Sequence, residues 1–197
     1  MDVTTKSKTI IQTEFGPFAV RYHDVGGTPV VSFTQGDITR GIQVVRMHSA
    51  CLFGEAFHSL HCDCEHQLSE TMRFIERHGS GIILYSYEEG RGIGLEKKIA
   101  AMELQRATGC DTVEAFKKLG LPPDCRDYAD EVAVLQELGV PAHIYSFSGN
   151  PIKRRALEDA GFHIDAEYEV ESKHLSQLAL REKRVKSEKM GYSYKDL

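Results

Sequence analysis

The stretch Gly41–Tyr87 reads GIQVVRMHSACLFGEAFHSLHCDCEHQLSETMRFIERHGSGIILYSY. Its two ends, "GIQVVRMHS" and "GIILYSY", are apolar runs of strand length rich in β-branched residues, and the second reads as a buried strand. Between them, "CEHQLSETMRFIERHG" places Leu68, Met72 and Ile75 on one helical face, with Gly79 as the stop. Upstream, "GPFAVRYHDV" and "PVVSFTQGD" flank Gly26-Gly27 and read as a hairpin. Downstream, "EEGRGIG" reads as a turn before a helix through "LEKKIAAMELQRATG". "DTVEAFKKLG" opens with Asp111 and Glu114 at capping-box spacing. "DYADEVAVLQELG" carries Tyr128, Val132, Leu135 and Leu138 on one stripe. "AHIYSF" reads as a strand, "NPIKRRALEDAG" as a helix with Pro151 in its first turn, and "FHIDAEYEV" as a strand. Strands come in succession and then alternate with helices. This order predicts a mixed α/β, or α+β, fold: one domain over residues 1–197 with a mixed β-sheet flanked by helices. Residues 172–197 are charged and read as a C-terminal helix or tail.

The chain has 197 residues, 41% hydrophobic and 27% charged, with a formal net charge of −5. That balance argues against a nucleic-acid surface or an anionic membrane as partner. The start "MDVTTKSKTIIQTEF" has no long apolar run, and nothing approaches the ~20 apolar residues of a membrane span. No signal peptide and a cytoplasmic location are therefore expected. In that compartment thiols stay reduced, and clustered cysteines point to metal or catalysis more often than to disulfides.

Three of the five cysteines, Cys51, Cys62 and Cys64, fall in one window as Cys-x10-Cys-x-Cys. Packing thiols, a disulfide and a metal site are the alternatives. Zinc suits three soft thiolates. Cys62 and Cys64 reach one ion across a turn, and Cys51 closes a loop onto it. His48, His58, His61 and His66 are near enough in sequence to complete a closed structural site, whereas three thiolates with no fourth partner leave a position open for chemistry. Cys110 and Cys125 read as packing residues. Taken alone, Arg91 and Arg126 read as surface arginines in salt bridges, Asp124 as a helix cap, and Lys153 as a solvated helix residue. "EEGRGIG" is not a dinucleotide loop, because Leu95 stands where the third glycine belongs.

The runs "RMHSACLFGEAFHSLHCDCEHQL", "EEGRGIGLEKKIAAMELQ", "GCDTVEAFKKLG" and "DCRDYADE", with a weaker echo in "EKMGY", resemble GTP cyclohydrolase II. The resemblance implies a zinc-dependent hydrolase that takes GTP, expels C8 of the guanine as formate and releases pyrophosphate. It further implies a homodimer and Mg2+ carried by the nucleotide phosphates. Matched by position, the zinc ligands are Cys51, Cys62 and Cys64. Arg46 through Ala50, including His48 and Ser49, match a nucleotide-binding run. Gln67, the triplet Glu89, Gly90 and Arg91, and Thr112, Ser148 and Lys153 match further nucleotide-binding positions. Asp124 matches the proton acceptor and Arg126 the residue assigned as nucleophile at the α-phosphate. Because a guanidinium stays protonated, a phosphate clamp is the rival role for Arg126.

The sequence departs from the family close to the chemistry. Ala50, Phe53 and Glu55 stand where the family has glutamate, threonine and aspartate. His61 and Glu65 replace arginine and glycine, Tyr87 and Glu88 replace arginine and glutamine, and Ser148 replaces threonine. Met102 replaces a catalytic tyrosine. Three readings follow: ring opening of GTP or a close purine nucleotide, stopping at a formylated pyrimidine intermediate; the same hydrolysis on another heterocyclic nucleotide in specialised biosynthesis; or a non-catalytic nucleotide-binding protein with a structural zinc.

Overall fold

The computed structural model describes residues 2–171 and 175–196; the part of the expected C-terminal helix or tail at 172–174 and 197 lies outside the described residues. The described chain runs β1 (Val3–Thr13), β2 (Gly16–Val25), β3 (Thr28–Gln35), β4 (Gln43–Ser49), α1 (Leu52–Glu55), α2 (Cys64–His78), β5 (Gly81–Ser86), α3 (Leu95–Thr108), α4 (Thr112–Lys118), α5 (Ala129–Glu137), β6 (His143–Phe147), α6 (Pro151–Asp159), β7 (His163–Tyr168) and α7 (Gln177–Met190). The fold class is mixed α/β, as the order of elements predicts. By contact density the residues fall into two compact units: one comprises 1–48, 67–87 and 127–169, the other 49–66, 88–126 and 170–197.

The first unit is built on a sheet of order β1-β2-β3-β5-β4-β6-β7. Its first half is antiparallel, with β3 pairing both β2 and β5 in that sense. Its second half is parallel, β4 to β6 and β6 to β7. The Gly26-Gly27 hairpin forms as expected: Val25 pairs Thr28 across it, and both glycines have positive φ, 59° and 97°. Two left-handed residues are what a two-residue turn needs to match the strand twist, and glycine adopts them without a Cβ penalty. β1 is an addition to the sequence reading. Its residues are exposed along nearly the whole strand, so it carries no apolar alternation to read. It lies at the sheet edge, paired to β2 along its length, with Thr5 in hydrogen-bond contact with His23 and Val3 packed against the core.

Two apolar clusters hold this unit. Val30, Val45, Met47, Ile82, Leu84 and Ile144 pack with Val134, Leu135 and Leu157 from α5 and α6. Phe15, Phe18, Val44, Ile75 and Ile83 pack with Leu68 and Met72, the apolar face read from the sequence of α2. In the second unit Ala101, Ala115 and Phe116 pack with Ile93, Leu104 and Leu121, which sets α3 against α4. The capping box at α4 is present: the Asp111 side chain accepts from Val113 and Glu114 N–H groups, and the Glu114 side chain accepts from the Asp111 N–H. Pro151 sits in the first turn of α6, where its missing N–H has no cost.

Candidate metal centre and nucleotide-binding residues

In the second unit the three cysteines converge. Cys51, Cys62 and Cys64 bring their Sγ atoms within 4.8 Å of one another, and no histidine or carboxylate among the described residues joins them. Cys51 and Cys62 lie 3.6 Å apart, Sγ to Sγ. Two thiolates at tetrahedral positions on one zinc, each at ~2.3 Å, would stand about 3.8 Å apart. His58, His61 and His66 are exposed.

Gly54 explains how three sulfurs fit. A Cβ built on it would lie 2.8 Å from Cys62 Sγ, 3.2 Å from Cys64 Cβ and 3.3 Å from Cys51 Sγ. The one-turn helix α1 thus passes bare backbone beside the thiols, and the Gly54 N–H donates to Cys51 Sγ at 3.4 Å. Hydrogen bonds from Cys62 and Cys64, then the Lys98 charge and the Gly54 N–H, push the Cys51 thiol far down. Donating to Cys51 pushes Cys62 up to about 11 and Cys64 well up. Three converging thiols are a donor set that a soft divalent cation completes by displacing their protons.

The loop after Cys51 is tied to the "EEGRGIG" turn. Glu89 Oε2 accepts from the Leu52 N–H at 2.7 Å, while Glu89 Oε1 accepts from Lys98 Nζ at 2.5 Å. The same ammonium lies 3.2 Å from Cys51 Sγ and 4.8 Å from the centre of the Phe53 ring. Glu55 caps its own loop by accepting from the Cys51 N–H at 2.8 Å. Two of the departures thus have local work: Phe53 gives a ring face to a cation, and Glu55 reaches back to the Cys51 backbone.

Gly90, Arg91 and Gly92 have φ of 65°, 60° and 82°. A left-handed arginine costs on the order of 1 kcal/mol and persists where neighbours hold it. Here Arg91 donates to Thr112 Oγ1 at 2.6 Å, to Glu182 at 2.7 Å and to Pro123 O at 3.1 Å, with its guanidinium over the Phe116 ring. Asp124 and Arg126 form a two-point pair, with Nε to Oδ1 at 2.8 Å and Nη2 to Oδ2 at 2.7 Å. Arg126 reaches Ser49 Oγ at 3.1 Å and Tyr192 Oη at 3.4 Å. The side chains of Arg126 and Asp124 are only 9% and 4% exposed, so the pair is not the surface salt bridge that composition alone favours. Burial pushes the Asp124 carboxyl up, but the Arg126 hydrogen bonds and charge outweigh it and hold it low. Asp124 caps no helix; its carboxylate accepts from the Arg126 N–H, and Tyr128 is the N-cap of α5. Met102 is half-buried on α3. It follows Lys98 by four residues, on the same helix face.

In the first unit Arg46 is buried, donating to His48 Nδ1 at 2.9 Å, Gln67 Oε1 at 2.5 Å and Phe147 O at 2.8 Å. His48 is buried and stacks on Tyr85. Lys153 is buried, not solvated as a helix lysine ordinarily is; its Nζ donates to Met47 O at 2.6 Å beside the Tyr128 ring. Ser148 accepts from the Asn150 N–H, at the start of α6. Arg46, His48 and Gln67 thus form one connected set, and Lys153 holds the backbone at Met47. The sequence reading missed Lys98, Glu182 and Tyr192. Lys98 had a faint signal, a cation one turn before Met102, and Tyr192 closes the run "EKMGY" that gave only a weak echo; Glu182 had none, because its partner Arg91 is 91 residues away.

A family model described as GTP cyclohydrolase II matches residues 4–169. The chain belongs to the GTP cyclohydrolase II family. It is 42% identical over 167 residues to a protein named GTP cyclohydrolase-2 from Azotobacter vinelandii, covering 83% of this chain and 79% of that one. It is also 42% identical over 159 residues to riboflavin biosynthesis protein RibBA of Bacillus cereus, covering 79% of this chain. The chain spans 40% of the length of that RibBA relative. A crystal structure of RibBX, a two-domain 3,4-dihydroxy-2-butanone 4-phosphate synthase from A. baumannii, matches with a TM-score of 0.46 at 17% identity, over 86% of this chain and 40% of that one. The family match ends before α7, so Glu182 and Tyr192 lie outside it.

Proposed function

We propose that this protein is a zinc-dependent hydrolase that opens the imidazole ring of GTP or a close purine nucleotide. The observation that carries this reading is the three-thiol cradle around Gly54, in the same compact unit as the buried Asp124–Arg126 pair. Cys51, Cys62 and Cys64 would hold the zinc, whose role is to supply a Lewis acid that activates water toward an electron-poor ring carbon.

Arg126 acts as a clamp for phosphate oxygens: its charge is permanent, and its position is fixed by Asp124 and Ser49. Asp124 stays ionised at neutral pH, so it can accept a proton, though its low affinity for one makes it a weak base. Arg91, pinned by Thr112, offers a second cation. Glu89 presents a carboxylate suited to the N–H edge of a purine, and Arg46, His48, Ser49, Gly90, Gln67, Thr112, Ser148 and Lys153 serve as nucleotide-binding positions. The reading extends to one catalytic domain over residues 1–197, working as a cytoplasmic homodimer on a Mg2+-nucleotide.

The step served by residue 102 is where this chain diverges. Cleavage of the first ring bond leaves C8 as a formyl group on nitrogen, and a second hydrolysis frees it as formate. A phenol can donate a proton in that second step, whereas the Met102 thioether cannot. Loss of such a donor typically slows its step on the order of 10²–10⁴-fold. Incubation of the purified protein with GTP and a nucleotide panel, followed by mass spectrometry, should reveal a hydrated formylamino pyrimidine product with little formate. Met102→Tyr should raise formate release. Rapid stoichiometric formate from GTP by the unaltered protein would show that Met102 does not block deformylation. Absence of ring opening on any purine nucleotide would overturn the assigned substrate class.

A further inference from the structure

Lys98 donates to one of the three thiols, and its surroundings hold it there. Its ammonium donates to Cys51 Sγ at 3.2 Å and to Glu89 Oε1 at 2.5 Å, and its side chain is 16% exposed. The Phe53 ring lies under the ammonium at 4.8 Å. Its stem is held too: a Cβ on Gly90 would stand 3.0 Å from Lys98 Cβ, so the bare, left-handed Gly90 lets the turn close over the lysine. The other oxygen of Glu89 takes the N–H of Leu52, the residue that follows Cys51. One lysine thereby touches a sulfur and the carboxylate that fixes that sulfur's loop, and that carboxylate belongs to Glu89 of the triplet expected to recognise the nucleotide.

We propose that Lys98 is a positioning residue for the metal centre, which offsets the excess negative charge of the loaded cluster and orients Cys51. The inference rests on the reading that the cluster holds zinc. Three thiolates on a divalent cation leave one negative charge in excess. An enclosed ammonium, anchored on Glu89 and in hydrogen-bond contact with Cys51 Sγ, lies beside that charge and fixes one sulfur where a shared ion needs it. Partners outside the ligand set typically change metal affinity by about 10–100-fold when removed. The lysine also ties that ligand to Glu89, so movement of Glu89 on binding a nucleotide base would be felt at Cys51.

The test uses the full chain as wild type, Lys98→Met, Lys98→Gln and Lys98→Arg, without nucleotide. Zinc affinity is measured by competition against a chelator, and the Co2+-substituted proteins are compared by their thiolate-to-metal charge-transfer bands. Lys98→Met keeps an aliphatic stem against Gly90 and should weaken zinc binding by about 10–100-fold. It should also move the cobalt band to lower energy, as the Cys51 sulfur becomes more electron-rich. Lys98→Arg should restore most of the affinity, and Lys98→Gln, an uncharged donor, should fall between, which keeps the test alive if Lys98→Met does not fold. Wild-type affinity and an unshifted band in Lys98→Met would overturn the role of Lys98, as would an equal loss in Lys98→Arg and Lys98→Met. A wild type that takes up neither zinc nor cobalt would overturn the metal reading itself, a different and distinguishable result.

Discussion

Gly54→Ala should weaken metal binding although it improves a helix residue. The added methyl would sit 2.8 Å from Cys62 Sγ and 3.3 Å from Cys51 Sγ. Ordinary contacts of this kind are about 3.5–4.0 Å, so something must give by roughly 0.7 Å or more. The three nearest neighbours are the Cys62 and Cys51 sulfurs and Cys64 Cβ, none of them the free end of a long side chain. Overpacking of this sort costs about 1–3 kcal/mol. In the metal-free protein the thiols can spread to relieve it; with zinc bound they are drawn back to about 3.8 Å separations, so the cost falls on the loaded form. That corresponds to roughly 5–150-fold in dissociation constant. Against it stands the helix preference for alanine over glycine, about 1 kcal/mol, which is present with or without metal and cancels from the binding constant. Chelator competition should therefore show weaker zinc binding. Thermal melts should show a metal-free protein no less stable than wild type, with a smaller rise on adding zinc. Zinc binding at wild-type strength in Gly54→Ala would refute the idea that the cradle is shaped around a metal.

The Asp124–Arg126 pair gives two further expectations. Arg126→Ala should abolish nucleotide turnover, and because it strands a carboxylate whose side chain is 4% exposed it should also cost about 3 kcal/mol of stability; the double variant Asp124→Asn/Arg126→Ala should recover stability but not turnover, and wild-type rates in the single variant would remove the clamp role. The Asp124 carboxyl is held below its unfolded value, so its stabilisation is present above about pH 4 and is lost as the pH falls through the lower folded value; the stability gap between wild type and Asp124→Asn should therefore narrow below pH ~4, and a constant gap in denaturant melts across that range would count against the pairing.

What could be read from the sequence followed its periodicities. The hairpin at Gly26-Gly27, the apolar face of α2 and the capping box at Asp111 are local signals, and each survives into the structure. β1 was illegible because nearly all of it is exposed at the sheet edge, and its order comes mainly from pairing with a neighbouring strand. In the site, the Cys-x10-Cys-x-Cys spacing already brings three sulfurs together. Lys153 shows where single-residue reasoning stops: a lysine on a short helix is ordinarily solvated, and only the fold reveals that its ammonium is taken up by the Met47 carbonyl. Glu182 and Tyr192 belong to a segment whose role depends wholly on where it folds back.

That segment has a consequence for solution conditions. α7 is fastened largely by charge: Glu182 to Arg91, and Lys189 to Asp111 and Glu114. Its apolar anchors are few, Ala179 and Val185 among them. Dissolved ions compete first for the exposed links, so Lys189, 38% exposed, should let go of α4 at ionic strengths that leave the more enclosed Arg91–Glu182 pair intact. Raising salt should thus loosen the C-terminal helix from one end, and the grip on Arg91 would be the last to yield.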